Sequence, residues 1–261
     1  MFKRFLSDSK KYWGYTVSAT KAQLKAEVAN SYLNWIWWIL EPVCFTAIYA
    51  LVFGVFFNLK EKYMIAFIVI GVAMWDCFSR MMKNSVGIMR TNKSIVSKVY
   101  LPKYVLIYVR IGVNGFKMMI SFGLAVILMF YYHVHVSAKL LYTIPVLLTF
   151  FLFNYGVSCF LLHFGVYVAD LKNIVDIVLR MVFYLTGVFY NVATRIPAPY
   201  GRLISRLNPI AFMVDAMRCV LLYDTKPGWK VLSCWFLFSL VLSILGTILV
   251  YKNENSYVKS I

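Results

Sequence analysis

Acid is scarce in this sequence. Asp and Glu number 10 among 261 residues, against 27 Lys and Arg, and all four charged types make up only 14%. Soluble domains carry about a quarter. The hydrophobic share is 62% and the mean hydropathy is +0.73. A soluble globule needs more polar surface than that to meet water, so the composition reads as a polytopic, all-α membrane protein.

Other absences narrow the chemistry. There is no GxxxxGK[ST] to cradle phosphate, no GxSxG, no HExxH and no kinase signature set. Five scattered cysteines form no CxxC and read as small apolar side chains rather than a disulfide or zinc framework. Histidine is scarce too. His133 and His135 lack nearby acidic or thiol ligands and read as loop polarity, while His163 reads as a hydrogen-bonded core residue. No metal, cofactor or catalytic constellation is expected on this chain. The opening "MFKRFLSDSKKYW" lacks an apolar stretch behind its charges and does not read as a cleavable signal. No fixed-period repeat or low-complexity linker divides the chain, so one membrane domain over 1–261 is expected.

What is present is apolar runs. A spanning helix needs about 20 mostly apolar residues, and six runs qualify: 37–57, 63–79, 111–132, 140–169, 174–192 and 231–251. Lys and Arg gather before the first run (Lys3, Arg4, Lys10, Lys11, Lys21, Lys25), after the second (Lys83, Arg90, Lys93, Lys98, Lys103) and in the tail (Lys252, Lys259). Six spans with both termini cytoplasmic put all three groups on one side, as the positive-inside rule requires. Much of the net +17 is then explained without nucleic acid. Segment 191–230 breaks the rule, being both apolar and charged. It reads as two short re-entrant helices in the outer leaflet, interrupted at Asn208-Pro209.

The head, 1–36, has apolar residues at Leu24, Val28, Tyr32 and Trp35, with Lys21 and Lys25 elsewhere on the wheel. That spacing predicts an amphipathic helix along the membrane, serving as a docking platform or as a plain anchor. Tyr32, Trp35 and Trp38 would mark an elbow into the first span, at Glu41-Pro42.

Ionisable residues inside spans are costly and are candidate functional groups. Glu41, Asp76, Arg80, Arg110 and Lys117 fall at inner ends. Lys172, Asp176 and Arg180 are spaced to form a ladder on one helix face. Each has two readings: a pair tying helices together, or the wall of a polar path. Aromatics, 18% of the chain, serve interface belts or stack on sugar rings; Trp38, Tyr49 and Phe53 are path candidates.

Four segments in order carry a resemblance: "TKAQLKAEVANSYLNWIWWILEPV" (20–43), "NKSIVSKVYLPKYVLIYVRIG" (92–112), "YVADLKNIVDIVLRMVFYLTGVFY" (167–190) and "LNPIAFMVDAMRCVLLY" (207–223). Together they resemble the membrane subunit of ABC-2 type exporters, in the branch that exports polysaccharide, O-antigen or teichoic acid. The first segment usually reads Leu-Gly where this chain has Leu33-Asn34, and the third often Arg-Asp-Ile where it has Ala169-Asp170-Leu171. The resemblance implies a homodimer in the bacterial plasma (inner) membrane, with the channel between the copies. It implies a separate nucleotide-binding subunit that holds ATP and Mg. That partner would press on a cytoplasmic coupling region at 84–104, through Asn92, Ser94, Ile95, Lys98, Tyr100, Pro102 and Lys103, with Lys21 and Lys25 beside it. The cargo would be a glycan on a polyprenyl-pyrophosphate lipid, its phosphates held by basic residues such as Arg80, Lys83, Arg110 and Lys117. Two rivals remain: an ABC-2 exporter of a drug or simple lipid, and a membrane assembly protein without transport.

Overall fold

The computed structural model describes residues 2–29, 32–56 and 61–260, and every regular element among them is helical. Helices α1 (Phe2–Lys11) and α2 (Trp13–Val28) form the head. A 3₁₀ turn (Asn34–Ile36) leads into α3 (Trp37–Tyr49), which continues as a π-helical stretch (Ala50–Phe56). Then come α4 (Met64–Val86), the short α5 (Ile88–Thr91) and α6 (Lys93–Val96), α7 (Lys103–Tyr131), and α8 (Thr143–Tyr167). After α9 (Leu171–Thr186) the chain makes α10 (Val192–Arg195), α11 (Tyr200–Leu207), α12 (Pro209–Leu221) and α13 (Trp229–Ser260).

Five helical stretches are long and apolar enough to cross a membrane: Asn34–Gly54, Met64–Val86, Lys103–Tyr131, Ala138–Tyr167 and Trp229–Tyr257. The fifth expected span, 174–192, is cut short and is not among them. Its helix ends at Thr186, where Gly187 takes φ +65. Glycine accepts that left-handed C-terminal position without a Cβ penalty. At ~1.5 Å per residue, the 16 residues of α9 reach about 24 Å, short of a ~30 Å hydrocarbon core. The outer end of the first expected span (residue 57) and most of the loop at 58–62 lie outside the described residues.

The head helix is shorter than its periodicity predicts. Leu24 and Val28 are buried against α7, but α2 stops at Val28, and Tyr32 and Trp35 lie beyond it, exposed. The elbow turns at Asn34, whose φ is +50. Asn is among the few residues that tolerate this region. Pro42 sits inside α3 without ending it.

Helix α4 is the centre of the bundle and is buried along most of its length, whereas α3 buries only Thr46. Without a hydrophobic drive in lipid, helices associate through close backbone approach and polar contacts. The α8–α13 pair shows both. A Cβ on Gly246 would lie 2.7 Å from the Cys159 Cβ. Ser243 Oγ donates to the Leu152 carbonyl at 2.8 Å, and Tyr155 and Thr247 share a 2.8 Å hydroxyl bond.

Candidate functional site

Three places gather the sequence's charged and aromatic residues. The first is a narrow cleft between α3, α4 and α7, lined by Trp38, Glu41, Asp76, Arg80 and Lys117, with Asn114 behind them. Its volume is about 30 Å³, room for a water or two. Arg80 Nη2 bonds Glu41 Oε1 at 2.5 Å, and Lys117 pairs with Glu27 of α2. Both pairs join different helices. Arg110, one face along α7 from Lys117, is half-buried and does not line the cleft.

The second is a cavity of about 370 Å³ between α3, α4 and α9. Trp75 and Leu179 form its floor, and Phe45, Tyr49, Phe183 and Tyr184 present rings to it. Asp76, Ser79, Lys83 and Arg180 supply polar atoms. Asp76 lines both spaces, so it stands between cleft and cavity. The ladder expected within α9 does not form: Asp176 reaches across to Lys83 on α4, at 3.1 Å. Arg180 has no ion pair among the described residues. Phe53 lies further out, stacked on Phe189 at 4.6 Å between centroids.

The third is the turn from α5 to α7. Ser94, Ile95, Lys98 and Tyr100 are exposed there, as are Lys21 and Lys25 on α2. Asn92, Pro102 and Lys103 are buried and face inward. Asn92 Nδ2 donates to the Ile88 carbonyl at 2.7 Å, and Lys103 Nζ to the Leu101 carbonyl at 3.0 Å. These three shape the turn instead of offering it contacts. The tail of α13 holds it from behind, with Tyr100 Oη donating to Glu254 Oε1 at 3.0 Å. Tyr251 Oη donates to Asp8 of α1 at 2.9 Å, and His163 Nδ1 bonds Tyr257 Oη at 2.7 Å.

One residue escaped the sequence reading. Arg218 looked like one more charge of the external segment, yet it is 2% exposed. Its Nε donates to the Phe67 carbonyl (3.1 Å), Nη1 to Gly187 (2.9 Å) and Nη2 to Val188 (2.6 Å). It ties the ends of α9 and α4 to α12. The one available signal is its setting in "AMRCVLL", apolar on both sides. Gly71 makes room for it: a Cβ there would lie 2.2 Å from Nη2. Nearby, Asn208 caps α12 through bonds from Ile210 N (3.0 Å) and Ala211 N (3.2 Å), with Pro209 opening the helix. The expected break at Asn208-Pro209 is therefore present, with the extra turn α10 ahead of it. On α11, Tyr200, Leu203 and Leu207 are exposed at helical spacing, and Arg202 and Arg206 are exposed beside them. Asp224 accepts from Ser137 Oγ and pairs with Lys139 at 3.1 Å, which together hold its carboxyl below the usual range.

A helical bundle with five apolar stretches long enough to cross a membrane has the outline of a multi-pass membrane protein. The family model for the ABC-2 type transporter matches residues 16–222, and the chain belongs to that family. It is 23% identical over 231 residues to the O-antigen export system permease protein RfbA of Klebsiella pneumoniae, covering 88% of both chains. It is 22% identical over 258 residues to a protein of the same name from Myxococcus xanthus, covering 99% of both.

Proposed function

We propose that this chain is the channel-forming subunit of an ATP-driven exporter of lipid-linked polysaccharide, of the O-antigen, capsule or teichoic acid kind. It works as a homodimer in the bacterial inner membrane, with ATP and Mg held on a separate partner chain; α9 and the residues after it make a sixth, shorter crossing, so that both termini are cytoplasmic. The observation that carries this reading is the similarity to O-antigen export permeases along nearly the whole chain. Two features support it. The α3 and α9 faces are apolar, aromatic and largely uncovered, as a wall shared by two copies requires. Ser94, Ile95 and Lys98, and Lys21 and Lys25 on the head, are exposed and offer contacts to the ATPase. The interhelical pairs Arg80–Glu41 and Lys117–Glu27 re-form when the partner closes.

The test is co-expression with candidate ABC ATPase subunits from the same genome. The expected result is a stable complex whose ATP hydrolysis rises with a polyprenyl-pyrophosphate-linked glycan. A chain that binds no ATPase is not an exporter subunit, and a complex stimulated equally by plain phospholipid exports something simpler.

A further inference from the structure

A groove of about 620 Å³ runs between α7, α8 and α13, with Phe5 of α1 at one end, and none of the path candidates lines it. We infer that this groove holds one acyl chain of an anionic phospholipid from the leaflet on the head's side, and that the lipid's phosphate meets Lys10 and Lys11 of α1 and Lys252 of α13.

The walls decide what enters. Ile111, Phe151, Leu152, Ile244 and Ile248 give them hydrocarbon. The hydroxyls among them are engaged within the protein. Ser243 Oγ donates to the Leu152 carbonyl, Tyr155 and Thr247 bond each other, and Tyr251 Oη donates to Asp8. A sugar would have to break these bonds to make its own, and a buried polar group without a partner is costly. A hydrocarbon chain breaks none. Leu148 and Ile244 on the rim are 56% and 51% exposed, so the groove opens sideways, towards lipid.

Length and charge decide which part of the lipid lies where. From Leu240 to Tyr251 along α13, at ~1.5 Å per residue, the groove is about 16 Å long. That matches one leaflet, half of a ~30 Å hydrocarbon core. Aromatic rings close it at the head: Tyr104 stands 5.1 Å from Phe5 and 5.3 Å from Tyr251, between centroids. Tyrosine and tryptophan favour the headgroup level, and Trp13, where α2 begins, is exposed. Cations gather at the same end. The sequence of α1, FKRFLSDSKK, sets Lys3, Arg4, Lys10 and Lys11 against Asp8 alone. Lys11 lies one turn beyond Asp8, and Lys252 follows Tyr251; both are exposed, as is Lys10. Such a cluster attracts an anionic headgroup, whereas phosphatidylcholine brings a cation of its own. A chain in the groove also packs on Phe5, so the bound lipid seats the head on the spans.

The test uses the full-length protein purified in dodecyl maltoside. It is titrated with phosphatidylglycerol, with phosphatidylcholine of the same chains and with farnesyl diphosphate, and followed by native mass spectrometry. Phosphatidylglycerol is expected to bind at one site per chain, at least fivefold tighter than phosphatidylcholine. Ile244→Trp, which fills the groove from its exposed rim, is expected to weaken it about tenfold. Ile127→Trp, at another exposed position on α7, leaves it unchanged. The double variant Lys10→Gln/Lys11→Gln changes exposed side chains only, and is expected to lower phosphatidylglycerol to the affinity of phosphatidylcholine. Equal binding of the two phospholipids overturns the proposal, since that marks ordinary surrounding lipid. So does phosphatidylglycerol binding that survives Ile244→Trp, which places the lipid on the head alone, or that survives the lysine changes. Farnesyl diphosphate binding tighter than phosphatidylglycerol, and lost in Ile244→Trp, gives the groove to a polyprenyl ligand and overturns it too. None of these titrations involves the ATPase or a glycan, so the lipid site and the export reading stand or fall separately.

Discussion

The two ends of α4 meet cations in opposite ways. At the Phe67 end, Arg218 of α12 is enclosed, with three backbone carbonyls around its guanidinium. At the Arg80 end, Arg80, Lys83 and Lys117 of the adjoining α7 each rest on one carboxylate from another helix, in pairs that remain partly exposed. The difference sets what each end can do. An enclosed charge bonded through all three of its nitrogens is expensive to disturb, because removing a partner strands the rest. A half-exposed pair is worth ~0–1 kcal/mol and can be exchanged. The Phe67 end is a fixed joint, and the Arg80 end is a set of contacts that can be remade.

Arg218→Met breaks this comparison most severely. Three carbonyls lose their donor, at roughly 1–3 kcal/mol each where no water replaces it. The expected outcome is a loss of several kcal/mol, seen as a large drop in melting temperature and in monodisperse protein on gel filtration. An unchanged melting temperature removes the distinction between the two ends. Gly71→Ala sharpens the point without touching the charge. Its methyl has to displace Arg218 or the Val188 carbonyl, 2.7 Å away, and overpacking of this kind costs about 1–3 kcal/mol.

At the Arg80 end the stability effects shrink and functional ones take over. A double-mutant cycle of Glu41→Gln and Arg80→Gln is expected to give a coupling below about 1 kcal/mol. Glu41→Gln should assemble and melt normally, yet fail in export. Coupling of 3 kcal/mol or more would make this pair a fixed joint as well. The smallest effect belongs to Asp224, outside the spans. Its folded-state pKa is depressed by Ser137 and Lys139. The stability it contributes is present above the unfolded value of about 3.9 and is lost as pH falls through the folded value. Asp224→Asn should therefore flatten the acid limb of a melting-temperature profile below about pH 4 and leave neutral export unchanged.

Much of the fold was legible in residue order. Asn208-Pro209 marked a helix boundary by local chemistry, and Gly187 ended α9 in the same way, although the apolar run to 192 hid that stop. The head helix shows the limit of periodicity. Tyr32 and Trp35 continue the spacing of Leu24 and Val28, but the backbone has already left the helix, and no glycine or proline announces it. Five of the eight path candidates, Trp38, Glu41, Asp76, Arg80 and Lys117, do converge on one cleft. Tyr49 lies in the adjoining cavity and Phe53 beyond it.

By itself the sequence determined a helical membrane chain whose basic residues cluster in the head, after the second apolar run and in the tail, because hydropathy and charge sign are properties of residues in order. Only the tertiary structure decided which charge meets which. Spacing allowed Asp176 to serve Lys172 or Arg180 within its own helix, and it serves Lys83 instead. Spacing placed Arg218 among surface charges, and packing enclosed it. Coulomb and hydrogen-bond energies depend on distance across helices and on burial, and neither quantity exists until the helices are packed.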